Sequence, residues 1–386
     1  MRRDIIIYYL FCFFVGFYLA NGTTVLFERV LGFSYSQVFI LGAVYMLMFI
    51  LFEVPSGAFA DLVGRKKSVA IGCFVLTLGA VASGLSQNFL QLFLSFFLWA
   101  LGFFFISGAD EAMLYDRLQD EKLYTKTLSR GRLLFLVGTA LAGVVGPMLF
   151  AIHFRYPYLF SSLPFLLGGM SVLFFNEASQ PKRAFTIKEH LNQITTGFKQ
   201  VRSNRYIVWS IGVMALTFAI WYNLTNSYQP FLMERGFVIR QFSFILPALF
   251  LGEALGGIFA PKLMQDVGEQ RIFNLGLLLF GLSVGVAGIL TGKISFAPLL
   301  FYAFLLGMLR LLVSIYSNRH IESSHRATII SVQGMVATVS AALTLFLFGF
   351  LTDRLGLSNL FMILGGLGLA LGTMFLIFRP REPVVS

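Results

Sequence analysis

The sequence predicts an all-α integral membrane protein, with twelve transmembrane helices arranged as two pseudo-symmetric six-helix bundles. Three observations predict it. The 386-residue chain is 57% hydrophobic and only 12% charged, against about 25% charge in an ordinary soluble domain. Twelve largely apolar segments approach the roughly 20 residues that a helix needs to cross a bilayer. The charged residues gather between these segments, with the basic ones mostly on one side.

The expected spans are 5–27, 37–60, 67–86, 89–115, 131–152, 156–176, 206–229, 240–262, 271–291, 295–318, 327–350 and 357–378. The first is too long for a signal-peptide core and lacks a small-x-small cleavage site, so it is expected to be retained. Loops are short except for 177–205. That segment divides a bundle over 1–176 from one over 206–386. Within it, Thr186-x-x-Glu189 reads as a capping box. Leu191, Ile194, Phe198 and Val201 then share one face beside Lys188, Lys199 and Arg202. The pattern suits an amphipathic helix lying on the inner leaflet, or a solvated linker helix.

Most of the 29 lysines and arginines fall on the side of the N-terminus, among them Arg2, Arg3, Arg65, Lys66, Lys67, Arg117, Lys182 and Arg205. Arg29, Arg155, Arg235, Arg240, Lys293 and Arg354 fall on the other. The positive-inside rule therefore expects both termini in the cytoplasm. The net charge of +11 belongs to these loops, so no nucleic-acid partner is expected. Cys12 and Cys73 lie inside apolar segments and read as small core hydrophobes. His153, His190, His320 and His325 lie near loops without the further ligands that a metal site needs.

The halves echo each other. Glu53-x-x-x-Gly57-x-Phe59-Ala60 recurs 200 residues later as Glu253-x-x-x-Gly257-x-Phe259-Ala260, which sets Pro261 against Asp61. Phe17-Tyr18-x-x-Asn21 is likewise similar to Trp221, Tyr222 and Asn226.

Between spans 2 and 3 runs Gly57-x-x-x-Asp61-x-x-Gly64-Arg65-Lys66-Lys67. Gly57 admits a neighbouring helix, and Asp61 can accept hydrogen bonds from a helix N-terminus. Gly64 allows a tight turn, and the cations can meet anionic headgroups. This loop resembles that between helices 2 and 3 of the major facilitator superfamily of secondary transporters. The resemblance implies a latch between the inner ends of helices 2 and 11 that favours the outward-open state. A partial echo, Gly349-x-x-x-Asp353-Arg354-x-Gly356, follows span 11. In span 5, Gly143, Gly146 and Pro147 resemble the Gly-Pro motif of the superfamily's exporters, although Met148, Leu149 and Phe150 replace its later glycines. Span 4 lacks the arginine of many drug-proton antiporters and carries Leu98, Trp99, Ala100 and Leu101 there.

Ionisable groups inside spans cost about 2.5–3.5 kcal/mol at the bilayer centre on insertion scales, so they mark function or a structural bond. Glu53, Asp110, Glu111, Glu253 and Arg310 are accordingly the proton-coupling candidates, with Glu253 the first expected partner of Arg310. Asp110 and Glu111 are adjacent, so they are expected to point about 100° apart and not to share a face. Ser107, Glu111 and Tyr115 would share one face, and Asp110 another with Arg117. Tyr18, Asn21 and Thr24, with Trp221, Tyr222, Asn223, Asn226 and Gln229, combine aromatic area with polar handles. They suit either a cavity for an amphipathic molecule or interfacial and interhelical bonding.

The chain has no phosphate-binding loop of the GxxxxGK[ST] kind, so no cofactor is expected and a proton gradient is the expected energy source. The sequence reads as a proton-coupled, alternating-access antiporter that exports an amphipathic small molecule such as a drug, siderophore or metabolite. Nutrient uptake by symport and lipid flipping are the alternatives. The scattered histidines argue against a membrane-embedded enzyme. The expected partners are a small-molecule substrate, protons and membrane lipids, with the protein acting as a monomer in a bacterial inner membrane.

Overall fold

The computed structural model describes residues 1–177, 201–202, 204–321 and 326–380, with the side chains of these except 49, 52–58, 61, 62 and 327. The expected linker helix and His325 lie outside the described residues, as do the side chains of Glu53, Gly57 and Asp61. The described elements are all helical: α1 Arg2–Gly16, α2 Thr24–Val30, α3 Tyr35–Val63, α4 Arg65–Leu85, α5 Phe89–Ile106, α6 Ala109–Leu118, α7 Glu121–Ile152, α8 Tyr156–Leu173, α9 Arg205–Thr225, α10 Tyr228–Glu234, α11 Phe242–Val267, α12 Glu269–Ile289, α13 Phe296–His320, α14 Arg326–Leu355 and α15 Leu357–Ile377. Ten helices among the described residues are long and apolar enough to cross a membrane. The first two expected spans fall short of that count, because α1 has 15 residues and only Tyr35–Met48 of α3 registers, as a shorter apolar helix.

Two expected spans are interrupted. Span 1 stops at Gly16 and resumes as the seven-residue α2, and span 7 stops at Thr225 and resumes as the seven-residue α10. Beside the breaks, side chains bond back to backbone carbonyls. The Thr23 and Thr24 hydroxyls donate to Ala20 O. Asn226 Nδ2 donates to Tyr222 O, and Ser227 Oγ to Asn223 O.

The same pieces reset the internal repeat. Gly32 after α2 and Gly236 after α10 both have φ of +85°, and Gly64 and Gly268 after the next long helices have φ of +103° and +95°. Each pair is 204 residues apart. The 200-residue register read from the sequence is thus one helical turn out, and Gln265, not Pro261, stands opposite Asp61. A four-residue slip keeps nearly the same helix face, so a pattern of apolar faces cannot detect it.

Contacts divide the chain into two units. Unit 1 comprises Met1–Phe33, Leu47–Lys188 and Val238–Pro247, and unit 2 comprises Ser34–Met46, Glu189–Phe237 and Ala248–Ser386. The first part of α3 therefore groups with unit 2.

In lipid, helix association relies on close packing, because burying apolar surface gains little there. In unit 1, a Cβ at Gly146 of α7 would lie 2.0 Å from Leu19 O, and one at Gly138 would lie 2.5 Å from Phe13 O. Helix α7 can press on the first span only where it has no side chain. Beside this seam, Tyr18 packs on Trp99 at 4.7 Å between ring centres. Trp99 Nε1 in turn donates to Ser83 Oγ at 3.0 Å.

In unit 2, the Asp353 carboxylate accepts from the backbone N–H groups of Tyr35 at 2.7 Å and Ser36 at 2.9 Å, the first two residues of α3. Ser34 and Gln37 close a reciprocal capping box beside it. The Gly349–Gly356 echo thus serves as a charged cap on a helix start.

Candidate functional site

Span 4 is broken where the sequence suggests continuity. Helix α5 ends at Ile106, Gly108 takes φ of +74°, and α6 begins at Ala109. That dihedral costs a glycine little and other residues considerably more. The break leaves Asp110 and Glu111 in the first turn of α6, where the positive end of the helix dipole favours anions.

The carboxylates line a cavity of about 330 Å³ in unit 1, shared with Tyr8 and Cys12 of α1, Phe103 of α5, and Gly131 and Arg132 of α7. Asp110 and Glu111 thus line one cavity, although as neighbours on α6 they point about 100° apart. Arg132 Nη2 donates to Glu111 Oε1 at 2.9 Å. Gly131 leaves room for Tyr8, whose ring carbon would lie 2.6 Å from an added Cβ. The result is one carboxyl beside an openable ion pair, between aromatic walls.

Arg117 does not join Asp110. It donates through Nε to Asp4 Oδ2 at 2.8 Å, and Asn176 donates to Asp4 Oδ1 through both its backbone N–H and Nδ2. Burial works to raise the Asp4 pKa, but hydrogen bonds from Arg117, Asn176 and the N-terminal amine hold it below its ordinary value. Tyr115 is exposed and stacks edge-on against Tyr124.

The loop after α3 is tied down inside unit 1. Arg65 pairs with Asp116 of α6 and donates to Ala112 O. Glu177 Oε1 accepts from Lys66 N at 3.0 Å, close to Gly64. Unit 2 repeats the tie with its charges exchanged: Glu269, the first residue of α12, pairs with Arg319 of α13 at 2.8 Å.

Unit 2 also joins Glu253 of α11 to Arg310 of α13. The Arg310 guanidinium lies 4.6 Å from the Trp221 ring centre. A Cβ at Gly307 would lie 1.8 Å from Glu253 O, so the helices meet backbone to backbone beside the pair.

The remaining candidates do not line the Asp110 cavity. Tyr18 lies in the unit 1 aromatic core, and Thr24 donates to Ala20 O in the turn before α2. Asn21 and Tyr222 are half-buried, and the Asn226 side chain lies against Gly42. Gln229 is buried and donates to Tyr228 OH. Gly143 touches the Leu246 side chain, and Pro147 is buried. Glu28 escaped the sequence reading. It is 2% exposed in unit 1 and makes no ion pair among the described residues. Its signal was being the one acidic residue between Asp4 and Glu53. Among the described residues, no group of three His, Cys, Asp or Glu could hold a metal ion.

A helical membrane protein with an internal repeat and a broken helix at a charged cavity has the architecture of a secondary transporter. The family model of the Major Facilitator Superfamily matches residues 6–239 and 222–386. The chain belongs to this superfamily and is a secondary transporter of it. It is 25% identical over 346 residues to the uncharacterized MFS-type transporter YxaM of Bacillus subtilis (strain 168), covering 86% of this chain and 84% of that protein.

Solved structures share the fold. The nucleoside transporter NupG superposes with a TM-score of 0.81 at 15% identity, over 98% of this chain and 99% of that one. A POT family transporter in complex with 5-aminolevulinic acid gives 0.74 at 17%, over 98% and 96%. A bacterial homolog of the human lysosomal transporter Spinster, inward-facing and unoccupied, gives 0.72 at 16%, over 97% and 93%.

Proposed function

We propose that this protein is a proton-coupled transporter that exports an amphipathic small molecule by alternating access. It would sit in a bacterial inner membrane with both termini in the cytoplasm and act as a monomer. One observation carries the reading: Asp110 lines an aromatic-walled cavity beside the Glu111–Arg132 pair. A carboxyl there can hold a proton in one state and release it when substrate or Arg132 supplies positive charge. The aromatic walls supply apolar area for the substrate body, and the paired charges fix its orientation. One proton moving down 100 mV supplies about 2.3 kcal/mol. At about 1.4 kcal/mol per decade, that sustains a gradient of roughly fifty-fold.

A second reading is uptake of a small polar solute. It is favoured by the adjacent carboxyl and ion pair, which suit a zwitterion, and by a fold shared with nucleoside and POT family transporters. A thermal-shift ligand screen on the purified protein comes first. Transport of the hits is then measured in proteoliposomes under imposed pH gradients of either sign. Export predicts substrate movement against the proton flow, and uptake predicts movement with it. Transport indifferent to pH gradient and potential, or intact after Glu53→Gln, Asp110→Asn and Glu111→Gln together, refutes proton coupling.

A further inference from the structure

Unit 2 holds a second cavity, of about 320 Å³, between α9, α14 and α15. It is elongated. Gly212, Ala219 and Asn223 mark its course along α9, and Leu364, Leu371 and Phe375 mark it along α15. Eleven residues of helix correspond to about 16 Å. The small residues of α9 form a floor, while Leu367 and Leu371 at the rim are 39% and 37% exposed.

One end of the cavity carries an unsatisfied group. Asn223 is fully buried, and its Nδ2 donates to Ala219 O and to Thr344 Oγ1, both at 2.9 Å. Among the described residues its Oδ1 has no hydrogen-bond partner. The Thr344 hydroxyl cannot supply one, because it donates along its own helix to Ser340 O. A buried carbonyl oxygen without a donor carries its full desolvation cost, and such groups in a folded protein point to an absent partner.

A ligand that fits must be long, narrow and apolar, with a hydrogen-bond donor at one end. We propose that this cavity binds a single-chain amphiphile, its alkyl chain lying along α9 and α15 and its hydroxyl or protonated carboxyl donating to Asn223 Oδ1. The tails of ester phospholipids match the shape but lack the donor, so they answer only half of the site. This site is separate from the Asp110 cavity and does not depend on proton coupling.

The test uses the purified full-length protein in nanodiscs of ester phospholipid. The probe is a diazirine-bearing dodecanol, compared with its methyl ether, which has the same chain but no donor. After irradiation, labelled peptides are mapped by mass spectrometry. The alcohol should label the α9 and α15 peptides about tenfold more than the ether, the worth of one buried hydrogen bond. Asn223→Leu should bring the alcohol down to the ether's level. Ala219→Phe, which fills the floor, should remove both. Equal labelling by alcohol and ether on the unaltered protein overturns the proposal whatever the variants do, and identifies the cavity as a seat for any lipid tail. Labelling confined to other helices overturns it as well.

Discussion

Separating Glu253 from Arg310 should be costlier than removing both. The two side chains are 25% and 40% exposed and lie between helices in backbone contact, so neither charge can withdraw far. An unpaired charge at mid-membrane costs about 2.5–3.5 kcal/mol. Glu253→Gln leaves Arg310 over the Trp221 face, and a cation–π contact returns about 0.5–2 kcal/mol. That variant should lose about 1–2 kcal/mol. Arg310→Met strands Glu253 and forfeits the ring contact, for about 3 kcal/mol. The double variant leaves no charge behind and should lose about 1 kcal/mol, in line with neutral replacement of buried pairs. The coupling energy is then about 3–4 kcal/mol. Unfolding by SDS in mixed micelles, followed by tryptophan fluorescence, measures all four proteins. Additive losses would refute the pairing, and a milder Arg310→Met than Glu253→Gln would refute the part assigned to Trp221.

Four further outcomes follow from other positions. Gly146→Ala places a Cβ against Leu19 O at 2.0 Å and should destabilise by about 1–3 kcal/mol. Gly366→Ala meets open space and should leave the melting temperature nearly unchanged. Because the Asp4 pKa is lowered in the fold, its stabilisation is present above the unfolded value near 3.8 and is lost as pH falls through the folded value. The stability advantage of the unaltered protein over Asp4→Asn should therefore shrink below about pH 4, and a pH-independent gap would contradict the network. Asp353→Ala removes the acceptor for Tyr35 and Ser36 and should cost about 1–2 kcal/mol. Unchanged hydrogen-exchange protection at the start of α3 would show that the cap is dispensable.

Much of the fold was legible because membrane helices announce themselves by length and composition. The breaks were not. Ser107 and Gly108 sit in an apolar run that satisfies any hydropathy window, and only their non-helical dihedrals separate α5 from α6. The site was half legible. Asp110 and Glu111 stood out as acids in a span, but the break places them in the first turn of a new helix, which composition does not show. Arg310 could be matched to Glu253 because few charges lie deep in the second half. Arg117 could not be matched to Asp4, since 113 residues separate them and nothing local favours the pair. The roles of the Asn223 and Gln229 amides could not be read for a physical reason: a polar side chain on an apolar helix looks the same whether it faces a ligand or a neighbouring helix.

The exchanged charges of the two loop ties bear on assembly. A duplicated architecture can mispair, each half offering its helices to its twin's positions. Here a swap of that kind would set Arg65 against Arg319 and Glu269 against Asp116, with like charges at both contacts. Correct pairing gains an attraction and wrong pairing meets a repulsion, and discrimination depends on that difference. Arg65→Glu with Asp116→Arg would keep the tie in unit 1 while erasing the distinction. Its yield of properly folded monomer after expression, compared with the unaltered chain, would show whether the polarity of one ion pair keeps two similar halves from being mistaken for each other.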